Sequence, residues 1–188
     1  MRDATNRVLY KPVGVAGLIT PWNLPLYLLS WKVAPALLMG NTVVAKPSEL
    51  TPMTASLLAE VMEEVGLPEG VFNLVHGNGL DAGAPLTSHP DVSLISFTGG
   101  TATGRVVAQS ASSGFKKLSL ELGGKNATII RADVDMAEMM SEIVRASFLN
   151  QGQVCLCGSR LLIHESIYNS FVEAFLEAVT DMVVGDPA

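Results

Sequence analysis

The chain is short of cysteine, histidine and clustered positive charge, and each shortage closes a class of function. Its only two cysteines, Cys155 and Cys157, are one residue apart. A disulfide framework needs more cysteines, spread farther along the chain, so nothing points to an oxidising compartment. His76, His89 and His164 are scattered without metal-ligand spacing, and no metal is expected. Net charge is −6 with no basic cluster. Nucleic-acid affinity rests on Lys and Arg neutralising phosphates, so no nucleic-acid partner is expected. Long apolar runs are missing too, although 48% of the residues are hydrophobic. The greasiest stretch, Leu24 to Met39, is broken by Pro25, Ser30, Lys32 and Pro35. It falls short of the roughly 18 uninterrupted residues that suggest a membrane span, and no membrane association is expected. The polar start MRDATNRVLYKP has no apolar core of a signal peptide, which makes the cytoplasm the expected location. The composition suits a soluble piece that expects cover from other protein.

What is present is an alternation of short β-rich runs with longer helical ones. Strands are predicted over Val13 to Ile19, Thr42 to Lys46, Val71 to Val75, Leu94 to Thr98 and Lys117 to Glu121. Between them, helices are predicted over Pro25 to Leu38, Thr51 to Val65 with Gly66 as its cap, Ala82 to Thr87, and Thr101 to Ser112. Such alternation implies an α/β fold with a doubly wound parallel sheet, helices on both faces. After Gly123-Gly124 the pattern restarts with strand Ala127 to Ile130, helix Met136 to Leu149, strand Arg160 to His164 and helix Ile167 to Val183. Two units are therefore expected, residues 1–122 and 123–188. The second has too few strands to bury both faces of a sheet and reads as the opening of a domain that stops at Gly185-Asp186-Pro187-Ala188.

Four stretches carry chemistry. Ile19-Thr20-Pro21-Trp22-Asn23 follows the first strand, where open α/β sheets bind ligands. The Asn23 amide suits a developing oxyanion, although an Asn before Leu-Pro is more often a turn or a cap. Lys46-Pro47-Ser48-Glu49 ends the second strand, where a carboxylate can accept hydrogen bonds from ribose hydroxyls; a capped turn is the alternative. Phe97-Thr98-Gly99-Gly100-Thr101-Ala102-Thr103-Gly104 runs from strand to helix through glycines, and free N–H groups there suit a pyrophosphate. It is not the usual Gly-x-Gly-x-x-Gly pattern and does not follow the first strand. Lastly, Glu121-Leu122-Gly123-Gly124-Lys125 stands with Asn150-Gln151-Gly152-Gln153-Val154-Cys155-Leu156-Cys157-Gly158-Ser159-Arg160. Cysteine is the side chain most easily activated as a nucleophile near neutral pH, and Glu121 in the hinge between the units suits a general base. A buried structural Cys and an exposed hinge Glu are the bland alternatives.

These blocks, in this order, resemble the aldehyde dehydrogenase superfamily over the whole chain. ELGGKN and NQGQVCLCGSR look like its two active-site signatures, and the spacing of Glu121 to Cys155 is similar as well. PWNLPLYLLSWKVAPALLMGNTVVAKPSELTP and KKLSLELGGKN look most like the 2-aminomuconic and 2-hydroxymuconic semialdehyde dehydrogenases. The resemblance implies a Rossmann-like NAD-binding domain over residues 1–122 and the start of a catalytic domain over 123–188, in an internal fragment of a longer, homo-oligomeric enzyme.

The same resemblance implies the residue roles. Cys155 attacks an aldehyde, Glu121 activates the water that hydrolyses the resulting thioester, and Asn23 with the Cys155 N–H holds the oxyanion. NAD, rather than NADP, is implied as cofactor, held by Ile19, Thr20, Pro21, Trp22, Lys46, Glu49, Gly79, Gly83, Phe97, Thr98, Gly99, Gly100, Gly104 and Leu122. Cys157 is implied as a neighbour of the nucleophile. Many family members carry serine where this chain has Gly100, so one hydroxyl contact to phosphate is absent. The rival readings are a non-catalytic cofactor-binding remnant and a CoA-acylating relative; Glu121, a hydrolytic base, speaks against the latter.

Overall fold

In the computed structural model, residues 5–186 are described. The first four residues of the polar start, Met1 to Ala4, and the last two of the expected stop, Pro187 and Ala188, lie outside the described residues. Between Leu122 and Gly123 the chain divides into two compact units.

The first unit runs β1 (Val15–Ile19), α1 (Pro25–Leu38), β2 (Thr42–Lys46), α2 (Met53–Glu64), β3 (Phe72–Leu74), a π-helical turn (Gly79–Gly83), α3 (Ala84–Ser88), β4 (Val92–Gly99), α4 (Thr101–Ser112) and β5 (Lys117–Leu122). All five strands are parallel, in the order β3-β2-β1-β4-β5. The chain winds outward from β1 to β3, then returns to lay β4 on the other side of β1. Between β1 and β4 the strand order reverses. In a parallel sheet that reversal opens a crevice at the carboxyl ends of the two strands, since their following segments depart to opposite sides.

Burial explains why β1 is central. Ala16 and Leu18 pack on one face with Leu29 and Val33 of α1, Val43 and Ala45 of β2 and Ala55 of α2. Ile19 packs on the other with Leu86, Ile95, Phe97 and Val107 from α3, β4 and α4. A strand covered on both faces has no polar alternation, and the apolar run that suggested it follows from that. Gly17 belongs to the same constraint, because a Cβ there would lie 2.8 Å from Ile95 Cδ1.

Helix α1 begins on Pro25, whose missing N–H falls where no intrahelical bond is made. It ends before Gly40 in the left-handed region (φ +76°). Asn41 then fastens the helix end to β1: its amide donates to the Ala36 carbonyl (3.0 Å) and its oxygen accepts from Val13 N–H (2.7 Å). At the far side, Lys116 donates to the carbonyls of Val92 (2.6 Å) and His89, fixing the entry to β4.

The second unit runs β6 (Ala127–Ile130), α5 (Met136–Phe148), a 3-10 turn (Leu149–Gly152), β7 (Arg160–Ile163), a second 3-10 turn (Glu165–Ile167) and α6 (Tyr168–Thr180). Strands β6 and β7 form a parallel pair. One face carries a small core of Ile130, Ile143 and Phe171, with Phe171 stacked on Phe175 at 5.8 Å. The other is bare: Ile129 is 73% exposed and Leu162 49%, beside a cavity of about 920 Å³.

Several expected boundaries shift for local reasons. The helix expected from Thr51 starts at Met53, after Pro52. The Ala82 to Thr87 helix is two elements, because the Asn78 side chain caps a π-helical turn at Leu80 and Asp81 N–H before α3 begins. The helix expected to Leu149 stops at Phe148, since Asn150, Gln151 and Gly152 all have positive φ. The strand expected to His164 ends at Ile163, where the His164 side chain caps the following turn, and the helix expected to Val183 ends at Thr180. Among the described residues, no helix is long and apolar enough to cross a membrane.

Two parallel strands with a bare apolar face are marginal in water, and exposed patches of that kind drive association. The purified 188-residue chain should therefore sediment with a mass that rises with concentration, and Ile129→Ser with Leu162→Ser should reduce that rise. A monodisperse monomer at all concentrations, unchanged by the double substitution, contradicts this.

Candidate functional site

The crevice between β1 and β4 is a cavity of about 1260 Å³, large enough for a sizeable organic ligand. Each wall is the end of an element whose placement follows from the sheet. β1 delivers Ile19, Thr20, Pro21 and Trp22; β2 delivers Lys46, Ser48 and Glu49. Gly79 and Gly83 come from the π-helical turn, and Phe97, Thr98, Gly99 and Gly100 from the end of β4. Ala102 and Thr103 in the first turn of α4 complete that side. The fourteen residues expected to contact a cofactor thus meet in one cavity, with Gly104 and Leu122 excepted.

Those two lie outside that lining and pack on each other. A Cβ on Gly104 would lie 2.7 Å from Leu122 Cδ2, so the glycine lets α4 sit directly on β5.

Three features define the cavity's chemistry. The first is the start of α4, whose capping residue Gly100 makes no side-chain hydrogen bond to the helix. Its first N–H groups and the helix dipole offer an anion the same partners that a capping side chain would satisfy. The second is the Lys46–Glu49 pair. Lys46 is buried, donating to the Pro47 carbonyl (2.9 Å), and lies 3.5 Å from the Glu49 carboxylate, which is exposed. A hydrogen bond from its own backbone N–H holds Glu49 below the usual carboxylate range; partial burial opposes this and Lys46 adds to it. The third is Thr20, only 3% exposed, whose hydroxyl has no partner. An orphaned buried hydroxyl in a cavity wall is a group left for a ligand or water to satisfy.

Gly99 permits this geometry. A Cβ there would come 2.5 Å from Phe97 Cζ, and Phe97 is itself core, 5% exposed. Deeper in the wall, Thr87 of α3 and Ser110 of α4 share a hydroxyl–hydroxyl bond of 3.0 Å.

The expected catalytic residues are placed as follows. Asn23 is half-buried in the loop between β1 and α1, outside the cavity wall. Glu121 is exposed on β5, paired in register with Thr98 of β4. In the second unit, Cys155 is exposed and its carbonyl accepts from the Asn126 side chain (2.8 Å), while Cys157 is buried. Among the described residues, no group of three His, Cys, Asp or Glu could hold a metal ion.

Lys32 was read from sequence only as an interruption of an apolar run. In the structure it is a buried cation of α1, donating to Ser96 Oγ at 2.8 Å. Burial pushes its ammonium below the usual lysine value, and the negative charge of Glu121 pulls it partly back. Lys32 is thus the positive neighbour of the expected base. The signal was available: a lysine in the middle of an otherwise apolar helix must find a partner on the sheet it covers.

The sequence matches the aldehyde dehydrogenase family over residues 1–188. It is 56% identical over 183 residues to the 2-aminomuconic semialdehyde dehydrogenase of Danio rerio, covering 97% of this chain and 38% of that protein. It is 54% identical over 185 residues to a 2-aminomuconic 6-semialdehyde dehydrogenase of Pseudomonas sp., covering 98% and 38%. Among solved structures, betaine aldehyde dehydrogenase of Staphylococcus aureus in complex with NAD+ superimposes with a TM-score of 0.90 at 43% identity, covering 93% of this chain and 35% of that one. The chain therefore spans a little over a third of the length of the curated relatives it matches.

Gly99→Ala should destabilise the first unit by about 1–3 kcal/mol, because the methyl overpacks against Phe97. Gly79→Ala, where a Cβ meets nothing within 4 Å, should change stability by no more than about 0.5 kcal/mol. Denaturant melts of the two variants check this; equal midpoints contradict it.

Proposed function

The chain belongs to the aldehyde dehydrogenase family, and from that premise we propose that it serves the NAD-dependent oxidation of an aldehyde to a carboxylate. The observation that carries this reading is the cavity at the strand reversal, with an anion-ready helix start on one side and a carboxylate on the other. A dinucleotide is the ligand that uses both: its pyrophosphate at α4, with Gly100 and Thr101, and its adenosine ribose at Lys46 and Glu49. The orphaned Thr20 hydroxyl between them supports the fit.

The chemistry NAD supplies when bound is hydride acceptance. The chain's own groups do the rest. Exposed Cys155 is the proposed nucleophile: its sulfur attacks the aldehyde carbon and later carries the acyl group as a thioester. Asn23 donates its side-chain N–H to the oxygen that becomes negative in that attack. Glu121 takes a proton from the water that releases the acid. Lys32, buried in α1, is a positive charge that the negative charge of Glu121 helps keep protonated. A muconic semialdehyde is the finer substrate proposal, supported by the names of relatives at 50–56% identity. A remnant that only binds dinucleotide would keep the cavity without Cys155-dependent turnover, and the measurements below separate the two.

Glu49 should select against a 2′-phosphate by charge repulsion. In a titration of the 188-residue chain, NAD should bind at least about tenfold tighter than NADP, a difference of about 1.4 kcal/mol. Glu49→Gln should narrow the gap. Because Glu49 titrates below the usual carboxylate range, it stays ionised from neutral pH down through that range. Its share of binding should therefore be flat from about pH 6 to 8 and fade only in stronger acid. Tighter NADP binding contradicts the assignment.

Where NADH production is measurable, Cys155→Ala should abolish it, whereas Cys157→Ala should retain most of it. Glu121→Gln should give a burst of NADH followed by a slow steady rate. The opposite pattern for the two thiols assigns the nucleophile to Cys157 instead.

A further inference from the structure

The crevice extends past the Lys46–Glu49 pair into the space between α3 and α4. The π-helical turn that leads into α3 adjoins Lys46, since a Cβ on Gly83 would lie 3.8 Å from Lys46 Cδ. Leu80, Ala84 and Pro85 line this end from the turn and α3, and Val106 and Val107 line it from α4. Leu80 and Val106 are exposed although both are large and apolar. Apolar side chains from two elements, left open on one cavity, suit the faces of a flat ring.

Three hydroxyls, on Thr87, Ser88 and Ser110, also line the cavity, and their proton count fixes what they offer. Thr87 Oγ1 lies 3.0 Å from the Ala84 carbonyl and 3.0 Å from Ser110 Oγ. A hydroxyl has one proton to give and a carbonyl has none. Both contacts are hydrogen bonds in only one arrangement: Thr87 donates to Ala84, and Ser110 donates to Thr87. Ser88 sends its proton back to the Ala84 carbonyl at 3.0 Å, as helical serines commonly do. Ser110 has thus spent its proton on Thr87, which is buried in the wall. Toward the cavity the Ser110 oxygen is an acceptor.

We propose that the α3–α4 end of the crevice is a purine subsite that selects a 6-amino over a 6-oxo base, with Ser110 as the acceptor and Thr87 as the positioning residue that keeps it one. The 6-amino group of adenine donates, whereas hypoxanthine carries at that position an oxygen, which only accepts. The subsite rests on the dinucleotide reading for the placement of the base. With pyrophosphate at the start of α4 and ribose at Lys46 and Glu49, the base has this end to enter. A 6-amino group completes a chain of donors from the base through Ser110 and Thr87 to the Ala84 carbonyl. A 6-oxo group meets lone pairs instead, and Ser110 can turn its proton outward only by giving up its bond to Thr87.

The test titrates the 188-residue chain with two pairs of ligands, NAD against nicotinamide hypoxanthine dinucleotide and adenosine diphosphate against inosine diphosphate. The wild type should bind the adenine member of each pair at least about tenfold more tightly, the worth of one well-made hydrogen bond. Ser110→Ala, an exchange that a helix tolerates well, should bring both ratios within about twofold of one. Thr87→Val replaces the hydroxyl by a methyl and frees the Ser110 proton for the ligand, so both ratios should fall to one or below. A hydroxyl pair that only ties α3 to α4 would weaken all four ligands together and leave the ratios unchanged. That result, or equal affinities in the wild type, overturns the proposal. If NAD and its hypoxanthine analogue bind equally, the dinucleotide reading stands and the subsite fails. If adenosine diphosphate is preferred while NAD does not bind, the subsite stands and the dinucleotide reading fails. Binding of none of the four overturns both.

Discussion

The reversal of strand order between β1 and β4 is the constraint on which the candidate site depends. Were β4 to continue outward from β3, the segments leaving β1 and β4 would not part, and no crevice would open at their ends. The reversal demands that β1 be buried on both faces and pack closely on β4. Gly17, where a Cβ would strike Ile95, shows how close that approach is. The same tightness recurs at the end of β4, where Gly99 lies on the Phe97 ring. The cavity wall is thus built from core residues, and the site shares its stability with the sheet.

The order of elements was legible in the sequence because the hydrophobic period switches cleanly between strand and helix. Helices α1 and α4 and strands β2 and β6 match their expected spans. Misplaced ends sit where side chains override periodicity: Asn78 capping a π-helical turn, Pro52 delaying α2, three left-handed residues after α5. The candidate cofactor residues were legible for a different reason. They follow strand ends, and strand ends at a reversal face one crevice. Gly104 and Leu122 lie outside the cavity lining, where α4 packs on β5. The Lys32–Ser96 bond was illegible because it joins residues 64 apart in sequence, and no local pattern carries that information.

The two units differ in how complete their cores are. The first covers both faces of its sheet with helices, which is why its cavity has defined walls. The second covers one face of two strands and leaves Ile129 and Leu162 in solvent. Its cysteine turn is held by backbone bonds from Cys157 to Val154 and from Gly158 to Ala146, and by the Asn126 side chain on the Cys155 carbonyl. Within that turn Cys155 is exposed and Cys157 is buried.

The central claim is that the β1–β4 crevice is where a dinucleotide binds, and amide hydrogen exchange with and without NAD tests it most directly. Binding in the crevice predicts slowed exchange at residues 20–22 and 97–103, with β6 and β7 unchanged. Unchanged exchange at both stretches under saturating NAD, or protection confined to residues 129–133 and 161–164, would contradict it.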